Sequence, residues 1–244
     1  MINMQTREQA LPTRKHFRKD TFEGHITDLI STSQTVQPGE QAFFVEQDPN
    51  WVTPSHFHVE QQFQVIVNGY GSIGRHQVKP LCVHYAAPQT AYGPIVAGPE
   101  GVSYLTLRKS GDTGAWYLHK PGSRERLQSG LKREQQHGAP EGRVDAAALA
   151  GLASTEVEAL IAPREDGLAA HVVRIAPGQS HVLPAANEHG GRFYVVTQGS
   201  TQIGAGQADS LAVAFASADE QPTLHAGQGG AEVLVLQFPV LASA

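Results

Sequence analysis

Pro54-Ser55-His56-Phe57-His58-Val59-Glu60-Gln61-Gln62-Phe63-Gln64-Val65-Ile66-Val67-Asn68-Gly69 decides how this chain is read. Its second half alternates in the manner of a strand and ends on Asn-Gly, a turn signal extended by Tyr70-Gly71. Successive side chains of an extended strand point to opposite faces, so His56 and His58 are expected on one face. Two imidazoles on one face can grip one metal ion, and Gln62, four residues on, is placed to complete the grip.

The same pattern returns 130 residues later. Gln62–Gly74 lines up with Arg192–Gly204, pairing Phe63 with Phe193, Val65 with Val195, Gly69 with Gly199 and Ile73 with Ile203. Leu81, Val83 and Tyr85 pair with Leu211, Val213 and Phe215 at that offset. One residue less pairs Gly101, Leu105 and Leu107 with Gly230, Leu234 and Leu236, and upstream Pro38-Gly39 is echoed by Pro177-Gly178. Four matches in one order imply two copies of one β fold. At the repeat offset His56, His58 and Gln62 fall on Ala186, Glu188 and Arg192. Alanine cannot ligate and arginine carries a fixed positive charge, so the second copy is expected to have lost the site. His181 and His189 read as loop or surface histidines.

Outward from these copies, short strands are expected at His25–Thr32, Gln41–Gln47, Ser72–Val78, Leu81–Ala87, Ser103–Arg108, Val157–Ile161 and Leu168–Ile175. A Gln37-Pro38-Gly39-Glu40 turn separates the first two, and Pro88–Pro94 forms a loop. Residues 1–20, with Arg7, Arg14, Lys15, Arg18 and Lys19, read as a loosely ordered tail. The expected organisation is a first barrel over 21–119, a linker over 120–152 and a second barrel over 153–244. The linker holds a short helix, Asp145–Leu152, capped by Asp145. With 25 glycines and 15 prolines among 244 residues and few helical patterns, the chain reads as all-β. A net charge of −5 without a basic run gives no case for nucleic acid. No apolar run is long enough to span a membrane. The single cysteine, Cys82, excludes an internal disulfide and reads as buried and inert, and a reducing cytoplasm is the expected compartment.

The His56-x-His58-x3-Gln62-x6-Gly69 pattern resembles the first motif of the cupin superfamily, with Gln for the usual Glu and no leading Gly. Because both halves carry the repeat, the chain looks like a bicupin: two tandem cupin-type β-barrels, each a double-stranded β-helix or jelly roll. The resemblance implies one divalent metal, Fe(II) or Mn, Ni or Zn, held by His56, His58 and Gln62. The second cupin motif is poorly matched, since Pro88–Pro94 contains no histidine. The fourth ligand is then Tyr92, His84 or water, and either side chain could instead serve as general acid or base. His84 alternates out of phase with Leu81, Val83 and Tyr85, so it points to the face opposite theirs.

Gln64 shares parity with Gln62, and Tyr104, Thr106 and Arg108 alternate with Leu105 and Leu107; all are candidates for a substrate pocket or for a solvated face. Arg108 could hold a carboxylate. Trp51 reads as packing, and Arg75 and His76 as exposed. The likeness to bicupins implies a dioxygenase acting on a small polar metabolite. The alternatives are a non-redox metal-dependent isomerase, lyase or decarboxylase, and a barrel that binds a small molecule without turning it over. A homodimer built on the second barrel is a further candidate.

Overall fold

The computed structural model describes residues 1–36, 38–112, 114–183 and 189–241. It is all-β with the cupin fold, and its strands form two large antiparallel sheets. Two compact units divide the chain. One holds residues 10–137, and the other holds residues 1–9 with 138–243.

In the first unit the sheet runs Gln135–Gly138, Val83–Ala86, Gln62–Ile73, Ile95–Arg108, Gln41–Gln47, Phe22–Ile30, Lys15–Lys19. In the second it runs Ile2–Gln5, Val213–Ala216, Arg192–Ile203, Leu224–Gln237, Ala169–Ile175, Glu156–Ile161. The five strands from Val83–Ala86 to Phe22–Ile30 have their repeat counterparts in the same order, so the duplication extends to topology. Phe63 meets Tyr85 at 5.1 Å between ring centroids, and its counterpart Phe193 meets Phe215 at 4.9 Å. Phe63, Val65, Val83, Tyr85, Leu105 and Leu107 are all at most 1% exposed, each worth roughly 1.5–3 kcal/mol of burial. The opposite face of the same strands turns Phe43, Val45, Ile66, Ala86 and Tyr104 into a second cluster, which is the barrel interior. His84, Gln64 and Thr106 share its parity.

Several expectations are corrected. Residues 1–20 are not a loose tail: Ile2–Gln5 pairs with Val213–Ala216 and Lys15–Lys19 pairs with Phe22–Ile30. The expected linker 120–152 is divided, with 120–137 in the first unit and 138–152 in the second. Ala87 N–H donates to Glu134 O, Arg133 Nε to Gln89 O, and Gln135–Gly138 joins the sheet edge. The helix is Ala146–Ala150, with the Asp145 side chain accepting from Ala148 N–H as a cap. Gln37 in the expected turn, and Ala186 and Glu188 at the repeat positions of the histidines, lie outside the described residues.

Asn68-Gly69-Tyr70-Gly71 is not a turn but an irregularity within one strand, Gln62–Ile73, which reverses only after Gly74. Pairing with Ile95–Arg108 slips between Val102/Gly69 and Ala97/Gly71. Gly69 adopts φ +73°, where a Cβ would lie 2.3 Å from Gly101 O; its counterpart Gly199 has φ +72° and would meet Gly230 O at 2.2 Å. Gly69→Ala and Gly199→Ala are each expected to cost about 2–4 kcal/mol in chemical denaturation, from left-handed strain and backbone overlap. Gly142→Ala, with nothing within 4 Å of its Cβ, should stay within about 0.5 kcal/mol. Losses under about 1 kcal/mol at both bulges would contradict this account.

Candidate active site

The first unit holds an open-mouthed cavity of about 310 Å³ whose wall includes His56, His58, Gln62, Gln64, Tyr92, Tyr104, Thr106 and Arg108. His56 stands on a short strand, His56–Phe57, paired with Trp116–Tyr117, and His58 follows directly after it. His56 also bridges Tyr92 through both backbone groups. Phe57 is fully buried between them in sequence, and the rings of His56 and His58 meet edge-on at 5.3 Å.

Hydrogen bonds set both tautomers. A carbonyl only accepts, so His56 carries its proton on Nδ1, 2.7 Å from Pro54 O. Its Nε2 then accepts from the Tyr92 hydroxyl at 2.9 Å. His58 places Nδ1 2.5 Å from Asp112 Oδ2, which leaves Nε2 as its unprotonated nitrogen. Burial, reinforced by His58, lowers His56 to about 3. Burial and the Arg108 charge also lower His58. Both rings are neutral at pH 7.

Asp112 is the anchor that sequence reasoning missed. Its Oδ1 accepts from Val59 and Glu60 N–H at 3.0 and 3.3 Å, and its Oδ2 also accepts from Gly114 N–H at 2.8 Å. Burial alone would raise its carboxyl; the His58 hydrogen bond and the Arg108 charge outweigh that and hold it at about 2. Nothing in the sequence marks it, because it lies beyond the end of Ile95–Arg108, 54 residues from His58.

Gln62 and Arg108 face each other across neighbouring strands. Arg108 Nε and Nη2 donate to Gln62 Oε1 at 3.0 and 2.9 Å, and Nη1 donates to Gln41 Oε1 at 2.7 Å. Nη2 also lies 3.3 Å from His58 Nε2. Gln62 Nε2 donates to the Tyr92 oxygen at 2.6 Å. In the second unit the same cross-strand pair recurs with its members exchanged: Arg192 stands where Gln62 does, and its Nε donates to Gln237 at 2.7 Å.

These residues fit a divalent cation in part. Two neutral histidines whose outer nitrogens are fixed by a carbonyl and a carboxylate are the arrangement metal-binding histidines take. The oxygen of Gln62 faces a guanidinium, however, and like charges at such range repel by several kcal/mol even at an effective dielectric of about 20. Among the described residues, the group of three acidic or histidine side chains with ligand atoms within 4.8 Å of one another is elsewhere, at His16, Glu23 and Asp48.

The remaining candidates divide. Gln64, Tyr104, Thr106 and Arg108 line the cavity rather than facing water. His84 is not in its wall. It stands behind Gln64, with Nδ1 2.9 Å from Gln64 Oε1 and Nε2 3.2 Å from Gln135 Oε1. Its ring lies 4.9 Å from that of Tyr92. His137 stacks on it at 4.6 Å and on His76 at 3.6 Å, so His76 is engaged rather than simply exposed. Burial lowers His84 to about 3 and pushes the Tyr92 phenol up, so it stays protonated.

These shifts predict acid sensitivity. His56 and His84 bind a proton in the unfolded chain below about pH 6.5 but not in the folded one until about pH 3. The unfolded state therefore holds more protons between these limits, and stability falls with falling pH. Around pH 5 the two contribute a slope of about 3 kcal/mol per pH unit. Denaturation curves from pH 7 to 4.5 should show it, and a flat profile would contradict it.

No family model and no curated protein sequence matches the chain. Similar solved structures are the bacterial pirin YhhW with nickel(II) from Escherichia coli, an oxalate decarboxylase–formate complex from Lactobacillus farciminis, and a proposed dioxygenase from Nostoc punctiforme. The pirin is 11% identical with a TM-score of 0.62, covering 99% of this chain and 100% of its own. The decarboxylase is 12% identical with a TM-score of 0.62, covering 98% and 87%. The Nostoc protein is 14% identical with a TM-score of 0.59, covering 100% and 81%. All are cupin-fold proteins, and at these identities the likeness concerns the fold.

Proposed function

We propose that the first barrel is the active site of a metal-dependent enzyme acting on a small polar metabolite, with oxidation by O2 as the reaction class. The reading rests on one observation: His56 and His58 both hold their protons on the outer nitrogen, leaving two unprotonated nitrogens in one buried cavity. The cation, when bound, would polarise the substrate and, if redox-active, activate oxygen. The nickel(II) held by the similar pirin structure supports a divalent ion here.

The chain's own residues supply the rest. Asp112 and Pro54 O keep the two rings oriented and neutral. Gln64, Tyr104 and Thr106 give the cavity a polar wall for a small molecule. Tyr92, protonated beside His56, is a proton donor at its hydroxyl. His84 acts through Gln64 as a positioning residue.

Tyr92 also favours a second reading, because a stationed proton donor serves isomerisation, elimination or decarboxylation as readily as oxidation. Oxygen decides between them: turnover that stops under anaerobic conditions supports the first, and turnover that continues transfers the site to the second. Ligand affinity unchanged by His56→Ala and His58→Ala would overturn both in favour of a metal-independent binder.

A further inference from the structure

We infer that the first barrel selects a neutral ligand with a hydroxyl group, which donates to Gln64 Oε1, and that His84 and Gln135 fix this polarity from behind the wall. This rests on the reading of the cavity as a substrate site, and adds the substrate class and the residue that selects it.

The proton count around His84 sets the direction. Gln64 stands on the central strand, with His84 opposite it on one side and Thr106 on the other. His84 is 2% exposed. Its two nitrogens each face an amide oxygen, Gln64 Oε1 at 2.9 Å and Gln135 Oε1 at 3.2 Å. Neither partner is charged, so the buried ring is neutral and has a single proton to give. One of the two amides must therefore turn its nitrogen towards the ring. Gln135 is held in place, because its Nε2 donates to Ala91 O at 2.9 Å. Gln64 is not held: among the described residues the other end of its amide has no hydrogen-bond partner, and the residue lines the cavity. A half turn of that amide exchanges nitrogen and oxygen without changing its shape. Gln64 Nε2 then donates to His84 Nδ1, His84 Nε2 to Gln135 Oε1, and Gln135 Nε2 to Ala91 O. Every donor points away from the cavity, and the Gln64 oxygen is left facing it.

The rest of the wall agrees with a neutral donor. Arg108 is engaged by Gln62, Gln41 and His58, and the Asp112 carboxylate 3.9 Å from its Nη1 already matches its charge. A carboxylate ligand would set its oxygens against the Gln64 oxygen. An ammonium would find no carboxylate among the described residues of the wall. A hydroxyl supplies the missing proton without a charge. Tyr104 and Thr106, in the same wall, bear hydroxyls that can accept or donate beside it.

The test uses protein without added metal at pH 7. The ring-nitrogen NMR resonances of His84, assigned by their loss in His84→Gln, report which nitrogen holds the proton. It should be Nε2. Phenol, anisole and benzoate are then titrated, followed by the side-chain amide signal of Gln64. Phenol should bind at least about threefold tighter than anisole, the net worth of one hydrogen bond, and benzoate no tighter than anisole. Gln135→Leu, at the exposed edge of the sheet, removes the acceptor that holds the proton. Both tautomers of His84 should then appear, and the preference for phenol should fall towards none. Gln135→Glu still accepts and should keep tautomer and preference alike.

A proton on Nδ1 in the wild type would overturn the chain of donors and the polarity with it. Phenol bound no tighter than anisole, or benzoate bound tighter than phenol, would overturn the hydroxyl class. Tautomer and preference both unchanged in Gln135→Leu would overturn the positioning role of Gln135 and His84. The wild-type arms need no variant to fold. None of them depends on a cation, so failure of the cation reading shows separately, in metal content.

Discussion

Asp112→Ala is expected to destabilise the first barrel by about 3–5 kcal/mol, the usual loss when one member of a buried charged set is removed. Two consequences combine. Arg108, 4% exposed, loses the carboxylate 3.9 Å from its Nη1, and burial of an uncompensated charge is costly. The N–H groups of Val59, Glu60 and Gly114 and the Nδ1–H of His58 lose their shared acceptor. For a domain of this size the loss corresponds to a fall in Tm of roughly 10–15 °C. Asp112→Asn keeps the shape but offers one accepting oxygen, so it should fall between wild type and alanine. A change below about 1 kcal/mol in Asp112→Ala would remove Asp112 from its role as the anchor of the site.

His56→Ala and His58→Ala carry the largest expected functional effect. Each removes one of the two unprotonated nitrogens in the cavity, and with it cation binding and turnover, down to the uncatalysed background. The fold should survive, since both rings are neutral and neither belongs to the apolar cluster that fills the barrel. In His56→Ala the Tyr92 oxygen still accepts from Gln62 Nε2 but its O–H loses the acceptor His56 Nε2, and the expected stability loss is about 1–3 kcal/mol. Thermal melts and cation binding on the same samples separate the two effects. A folded variant with wild-type turnover would refute the assignment of these histidines.

The fold was legible because the repeat is written in apolar residues that the strand period sorts onto one face. Phe63, Val65, Leu105 and Leu107 and their counterparts need no knowledge of the partner strand. The bulge was misread as a turn because Asn68-Gly69 satisfies both: each needs a left-handed residue, and only pairing with Gly101 and Val102 tells them apart. The tail and linker were misread for a related reason. Ile2–Gln5 and Gln135–Gly138 are short edge strands, and edge strands carry little apolar pattern of their own.

In the site, the His56-x-His58 pair was legible from local spacing alone. Arg108 could be placed on the right strand but not on the right face until the register with Gln62 was known. Asp112 and Gln41 were invisible, because what makes them part of the site is a hydrogen bond across the fold. His84 is a candidate ligand or acid in the sequence because Pro88–Pro94 supplies no histidine, yet Gln64 stands between it and the cavity.

The most direct measurement is the metal content of purified, untagged protein by mass spectrometry, after incubation with Fe(II), Mn, Ni or Zn salts and removal of free ions. His56→Ala/His58→Ala is carried alongside. Near one ion per chain is expected in the wild type and none in the double variant. No ion in either, or an ion that the double variant retains at a surface group such as His16, Glu23 and Asp48, would contradict it.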